Sequence, residues 1–556
     1  MGQFDVELGR GEAETLTLSK AARDLHLQVV GLSGQGKSYF LEYLIRQDIK
    51  NGAGVCLIDP HGEVYDNLVA WLAANNLHKE HRIHLINPAM QKWSVGYNPL
   101  VRGSANVSTR VGAMIEACQH VWQDEASGGH ATLAKLLDVV LSTLAEKRMS
   151  LREALLLTSE QYLPQRQELV ATLEDPDLVL LWSEIDALGP RERAMRFEAV
   201  HNRLRDLTRT PVIKSMLGQT DKVLDFKTCM ERGHIVLVNL AHRGRMKPQV
   251  AQMLGALITA DLFYSAQSRD IHEAKTQPFY CYIDECGSFV NETVAKGLDE
   301  TRKYGLHYVL SHQRLSQLGD KRSDPIRNAV VAGAQSKVVF LQEDQDTTNE
   351  LGELLFGKAF DFERAKETLI KPTVVGYEQI ILRGEGEAHG EFEGLAAGAG
   401  QGMGIGTSIA DVDNPVARLS ESEHLSEFSS ESSGTSHVRS FSASEALKPI
   451  LEDRPTATYS LEEQRHMAAM EIRKLRARQA FAYRADDRQA IQFATSDITP
   501  ARPTSAQIED FFDTIRSREP SAQPTADVEA LITKRRTTFG LTDEDDEDPV
   551  WFSPDE

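Results

Sequence analysis

Hydrophobic positions in this chain fall into short continuous runs separated by stretches with helical spacing. Residues 25–30, Leu-His-Leu-Gln-Val-Val, predict a strand, and residues 39–50 place Leu41, Leu44, Ile45 and Ile49 on one face of a helix. Asn51-Gly52 ends that helix, and Gly54-Val55-Cys56-Leu57-Ile58-Asp59 predicts a second strand, which completes a βαβ unit with parallel strands. Strand and helix signals keep alternating to residue 100, through His84-Leu85-Ile86 and the turn Asn98-Pro99. From about residue 104 to 219 the pattern is helical throughout, broken at Gly128-Gly129 and Asp175-Pro176, and reads as an all-α insertion. Strands then recur at residues 235–240, 279–283, 308–311 and 337–341, with helices over 247–264 and near 292–304. Apolar strands alternating with amphipathic helices predict an α/β fold, a parallel sheet covered on both faces.

Beyond residue 383 the pattern changes. Residues 384–406 are glycine-rich and residues 420–444 hold 11 serines, a composition that buries too little apolar surface to offset its ordering entropy. A capping box, Ser460-x-x-Glu463, opens a helix to about residue 480, followed by strand-like 480–484 and 490–495 and a helix over 505–515. The predicted organisation is an α/β domain in two parts, 1–103 and 221–385, interrupted by the insertion 104–220. A disordered linker (386–455), a small α/β module (456–520) and an acidic disordered tail (521–556) follow.

The length of 556 residues exceeds what one core serves, and the formal charge of −21 argues at first sight against a nucleic-acid partner. Residues 386–556, however, hold 32 acids and 17 bases, net −15, which leaves −6 for the rest. The run Asp543-Glu544-Asp545-Asp546-Glu547-Asp548 before Trp551-Phe552 reads either as a solvating tail or as a docking peptide for a protein partner. Five cysteines at no metal-ligand spacing fit a reduced, cytoplasmic protein. The amino terminus has no signal-peptide pattern, and the longest apolar windows are too short for membrane insertion.

Candidate chemistry enters at Gly31-Leu32-Ser33-Gly34-Gln35-Gly36-Lys37-Ser38, which fits the phosphate-loop template and lies between the first strand and its helix. The backbone of Gly31, Ser33, Gly34, Gln35 and Gly36 would cradle phosphates, Lys37 would reach the β/γ oxygens, and the Ser38 hydroxyl would hold Mg²⁺. Hydrolysis of a bound nucleoside triphosphate needs in addition a carboxylate on the metal and a base that orients water. Asp284 and Glu285, leaving the strand 279–283, are assigned those two roles. Gln313, after the strand 308–311, is placed to contact the γ-phosphate. Asp59 ends the strand after the phosphate-loop helix, either as a ligand on the carboxyl edge or as the cap of a structural turn, and His61 reads as part of that turn. Basic clusters at 191–196, 203–205 and 243–247 are candidates for phosphate contacts with DNA or ordinary solvated helix faces.

These segments, with Ile58-Asp59-Pro60-His61-Gly62-Glu63, Tyr97-Asn98-Pro99-Leu100, Arg302-Lys303-Tyr304-Gly305-Leu306 and Ser311-His312-Gln313, occur in the order seen in the HerA/FtsK superfamily. The chain resembles in particular the TraG/TraD-type conjugative coupling proteins over about residues 20–385, and more weakly over 459–495. The resemblance implies a RecA-like P-loop domain that assembles as a homo-hexamer and uses ATP and Mg²⁺ to move DNA. It also implies active sites between subunits completed by a neighbour's arginine, for which Arg302 is the first candidate and Arg327 the second. Two features depart from the family: no amino-terminal transmembrane helices are predicted, and Phe340 is followed by Leu341 where Phe-Arg is expected. Beside DNA translocation stand two alternatives, an ATPase acting on protein in secretion or assembly, and a nucleotide-regulated partner of a nuclease or other effector in defence.

Overall fold

A computed structural model describes residues 2–12, 14–88, 90, 92–101, 106–121, 130–208, 211–241, 246–319, 324–360, 370–391, 400–410, 416–426, 435–455 and 459–541. They divide into two compact units, one of residues 1–358 with 465–556 and one of residues 359–464.

An 11-stranded sheet organises the first unit. Its order is Thr15–Leu18, Val6–Arg10, Ala490–Thr495, Gln479–Tyr483, Ser336–Phe340, Leu27–Val30, Leu306–His312, Phe279–Ile283, Gly54–Asp59, Ile235–Asn239 and Ile83–Ile86. The last seven are mutually parallel, and the first four join them antiparallel. Alternation of side chains across the strands explains why the parallel ones read as unbroken apolar runs. Val55, Leu57, Leu237, Tyr280 and Tyr282 face one core, with Leu41, Leu44 and Ile45 of the helix Lys37–Lys50. Cys56, Ile58, Val236, Val238, Cys281 and Ile283 face the other, with Leu254 and Leu257 of the helix Pro248–Gln267.

The elements from Val107–Val121 to Pro211–Leu217, within the span read as an insertion, are all helices. Their core continues from the second face of the sheet, with Trp182 and Phe197 stacked inside it and the Trp182 indole donating to Thr143 Oγ1 at 2.8 Å. Among the described residues no helix is long and apolar enough to cross a membrane.

Three boundaries differ from those expected. Residues 456–520 do not make a module of their own, because Gln479–Tyr483 pairs with Ser336–Phe340 and Ala490–Thr495 with Val6–Arg10 in the main sheet. Periodicity identifies a strand but not a partner hundreds of residues away. The tail expected from residue 521 begins instead with the strand Ala522–Pro524, paired to Trp93–Val95, and the helix Thr525–Thr537. Val528 and Ile532 of that helix are buried, and Arg535 donates to Glu153 Oε1 at 2.9 Å and to Gly218 O at 2.6 Å. The acidic run 543–548 lies outside the described residues.

The second unit covers the span expected as a linker and starts earlier, at residue 359. Ile370–Glu391, Thr435–Pro455, Val416–Ser426 and Gly400–Ala410 form a four-stranded antiparallel sheet in that order, with Ile370 opposite Pro455 and Glu391 opposite Thr435. Val374, Tyr377, Ile381, Leu447 and Ile450 are exposed on it. Ladder bonds between backbones ask little of side-chain polarity, so a composition argument could not detect this pairing.

Candidate nucleotide site

Parallel register sets the site. Val30 stands opposite both Val339 and His312, Ile283 opposite Ile58 and Leu310, and Asp59 opposite Asn239, so the residues that follow these strands emerge on one carboxyl edge. The phosphate loop leaves Val30 there and turns into the helix Lys37–Lys50. Gly34 (φ +77°) and Gly36 (φ +104°) occupy backbone conformations that side chains rarely adopt, and a Cβ on Gly31 would lie 2.6 Å from Phe340 Cβ. The three glycines are therefore demanded by conformation twice and by close approach once.

Opposite the loop, Ser38 Oγ donates to Asp284 Oδ2 at 3.0 Å. Asp284 is buried, and its Oδ1 accepts the Glu285 N–H at 3.1 Å. Glu285 has φ +45°, a left-handed backbone that turns its carboxylate back toward the loop. Its Oε1 lies 3.7 Å from Lys37 Nζ and accepts from Gln313 Nε2 at 3.0 Å. Lys37 Nζ also donates to Leu32 O at 3.3 Å. Burial pushes the Lys37 ammonium below its ordinary value, while Glu285 and Asp284 oppose that shift. Lys37, Ser38, Asp284, Glu285 and Gln313 thus converge. Gly31, Ser33, Gly34, Gln35 and Gly36 form the loop beside them.

Asp59 does not join this group as a ligand. Its Oδ1 accepts from His61 N and Gly62 N, both at 2.8 Å, and its Oδ2 from Tyr65 N at 3.0 Å. The carboxylate caps its own turn, and His61 belongs to that turn. Arg302 is exposed before the strand Leu306–His312, at the amino-terminal edge, away from the phosphate loop of its own chain. Arg327 is buried and donates to Glu350 Oε2 at 2.6 Å, an internal ion pair rather than an arginine offered to a neighbour. Of the basic clusters, Arg193 is buried, paired with Glu160 at 2.7 Å and bonded to Asp186 O and Leu188 O, which makes it structural. Residues 243–245 lie outside the described residues.

The sequence reading missed two supports of the site. Behind the loop, Lys337 Nζ donates to Gln28 Oε1 at 3.1 Å, and Gln28 Nε2 lies 2.9 Å from His312 Nε2, all three side chains being buried. The signal was a glutamine inside an otherwise apolar strand. Beside the loop, Arg478 N donates to Gln35 O at 3.0 Å, and the Arg478 guanidinium stacks over Tyr39 at 4.8 Å. This contact ties the loop to the turn just before the strand Gln479–Tyr483, more than 400 residues downstream, and nothing in local sequence announces it.

Two family models and several solved structures resemble this chain. The family described as helicase HerA, central domain, matches residues 14–261, and that described as the TraM recognition site of TraD and TraG matches residues 278–368. No curated protein sequence matches the chain. Among solved structures, the bacterial conjugative coupling protein TrwBdeltaN70 in an unbound form is 14% identical with a TM-score of 0.52, covering 90% of this chain and 91% of its own. TrwB with the GTP analogue GDPNP is 15% identical with a TM-score of 0.52, and TrwB with ADP and Mg²⁺ is 14% identical with a TM-score of 0.51. Each of these two covers 90% of this chain and 92% of its own. The likeness shows a common RecA-type fold.

Proposed function

Because the chain belongs to the HerA/FtsK superfamily of P-loop proteins and resembles the TraG/TraD coupling proteins, we propose that it is an ATP-driven DNA translocase. In this reading a homo-hexameric ring hydrolyses ATP to move DNA, in conjugative transfer or related DNA processing. The observation that carries it is the convergence of Lys37, Ser38, Asp284, Glu285 and Gln313 on one sheet edge. A phosphate loop alone serves nucleotide binding, whereas these added carboxylates and amide suit turnover.

The residues fit ATP and Mg²⁺. Ser38 and Asp284 would hold the metal, and Lys37 with the loop backbone the phosphates. Bound Mg²⁺ would supply charge neutralisation at the phosphates. Glu285 is the base that orients water; its contact with Lys37 gives way when Lys37 turns to an anionic ligand, while Gln313 keeps the carboxylate aimed. The TrwB complexes with ADP and Mg²⁺ and with GDPNP support the cofactor assignment. Arg302, exposed on the far edge, is the candidate to complete a neighbour's site.

DNA is the substrate this reading assigns, through contacts to the phosphate backbone. A protein partner of a DNA-processing complex fits the TraM-recognition description of residues 278–368, and the acidic carboxyl terminus offers such a partner a second contact. The test is ATP hydrolysis measured with and without single- and double-stranded DNA, alongside mass in solution. Stimulation by DNA and a six-fold assembly are expected; a rate indifferent to DNA overturns the reading and favours a protein substrate.

A further inference from the structure

A second constellation lies at the other edge of the sheet, where the strands begin. His84 sits on Ile83–Ile86, His234 immediately precedes Ile235–Asn239, and Cys229 lies on the helix Phe226–Glu231. Parallel register puts Ile83 opposite Ile235, and His234 N donates to Cys229 O at 2.9 Å, which folds the three residues onto one another. One ligand atom from each lies within 4.8 Å of the other two.

The arrangement is directional. His84 Nε2 lies 2.9 Å from His234 Nδ1, and His84 Nδ1 lies 2.5 Å from Glu519 Oε2. Glu519 is itself held, its Oε1 accepting from Ser521 N at 3.1 Å and from Ser521 Oγ at 2.8 Å. A carboxylate on one ring nitrogen keeps the proton there and leaves the other nitrogen as a lone-pair donor, as in the outer sphere of histidine metal sites. His84 and Cys229 are buried, and a cavity of about 390 Å³ lined by Asp225, Thr228, Arg232 and Pro520 adjoins the cluster, giving an entry path and room for a water ligand.

We propose that His84, His234 and Cys229 form a binding site for a thiophilic transition-metal ion of the Zn²⁺ class, oriented by Glu519 and open to water at a fourth position. Two imidazoles and a thiolate are the donor set of zinc rather than of Mg²⁺ or Ca²⁺, which take oxygen ligands. On binding, the Cys229 sulfur exchanges its proton, released to solvent, for a bond to the metal. The site stands apart from the phosphate loop, so its metal would fasten the helix Phe226–Glu231 to the edge strands and not take part in hydrolysis.

Titration of the full chain, purified in the absence of chelator, with Co²⁺ tests this directly. One equivalent is expected to bind, with thiolate-to-cobalt charge-transfer absorption and tetrahedral visible bands, and to be displaced by Zn²⁺. Cys229→Ser should lose the charge-transfer band, and Glu519→Gln should weaken affinity about 10- to 100-fold while keeping the spectrum. Lys37→Ala, which disables only the phosphate loop, should bind cobalt like wild type and so separates this proposal from the translocase reading. Folded wild-type protein that takes up no saturable cobalt, or a His84→Ala/Cys229→Ser/His234→Ala variant with the wild-type spectrum, overturns the proposal. The cluster would then be a neutral histidine pair packed on a core cysteine.

Discussion

Ser38 Oγ donates to Asp284 Oδ2 at 3.0 Å, joining residues 246 positions apart in the chain. The bond holds a hydroxyl from the phosphate loop and a carboxylate from a strand end where one divalent ion would take both. Asp284→Asn and Ser38→Ala are expected to raise the Mg²⁺ concentration needed for half-maximal ATP hydrolysis at least about tenfold, a loss of about 1.4 kcal/mol in metal binding. An unchanged Mg²⁺ dependence in both variants would show that the metal sits elsewhere.

Glu285 and Lys37 separate turnover from binding. Glu285→Gln keeps the volume and removes the base proposed above, so kcat should fall about 10²- to 10⁴-fold with nucleotide affinity retained. Lys37→Ala should lose the affinity itself. Fluorescent-nucleotide titration alongside steady-state hydrolysis distinguishes them, and Glu285→Gln with wild-type kcat would be incompatible with the role given to it.

Gly31→Ala tests the close approach of the loop to Phe340, whose Cβ would stand 2.6 Å from the new methyl. Relief requires the loop or the strand Ser336–Phe340 to move, so nucleotide affinity should drop by about 1–3 kcal/mol, the typical effect of overpacking. Gly31→Ala/Phe340→Ala removes the clash and should recover part of the loss. Failure of that rescue would count against a steric cause.

Arg23 and Asp48 form a buried ion pair. Arg23 donates to both oxygens of Asp48 at 2.6 Å, Tyr282 donates its hydroxyl to Asp48 as well, and Arg23 stacks over Tyr280 at 3.6 Å. Asp48→Ala leaves the guanidinium buried without its carboxylate and should cost about 3–5 kcal/mol, read from urea unfolding. A loss under about 1 kcal/mol would mean that water reaches Arg23.

Acid should destabilise the fold before its carboxylates titrate. Burial holds His26 and His312 at about 4, below the ordinary 6.5. Between those values the unfolded chain binds protons that the folded chain refuses, so their contribution is complete above about pH 6.5 and declines as pH falls toward 4. The slope is at most about 1.4 kcal/mol per pH unit for each histidine. Unfolding midpoints at pH 7.5 and 5.5 should differ accordingly, and His312→Gln should flatten the profile; a midpoint constant over that range would contradict it.

Much of this was legible in the residues. The phosphate loop, the apolar strands and Asp284-Glu285 follow local rules, since a turn needing left-handed backbone selects Gly34 and Gly36 and a doubly covered strand selects apolar residues at every position. The same rules left Asp59 open between ligand and cap, because both uses place a carboxylate after a strand. Its three backbone donors, His61, Gly62 and Tyr65, decide for the cap. Arg327 shows the same limit, for Glu350 lies one element away in space and 23 residues away in the chain.

The sequence alone determined the βαβ opening, the helical insertion and the chemistry of the phosphate loop, because each depends on residues within a few turns of one another. Tertiary structure alone decided that residues 479–495 complete the main sheet, that Arg478 braces Gln35, and that His84, Cys229 and His234 meet. Those outcomes depend on strand register and on contacts across hundreds of residues. The cost of closing such long loops grows only slowly with length, so no local pattern is required to mark them.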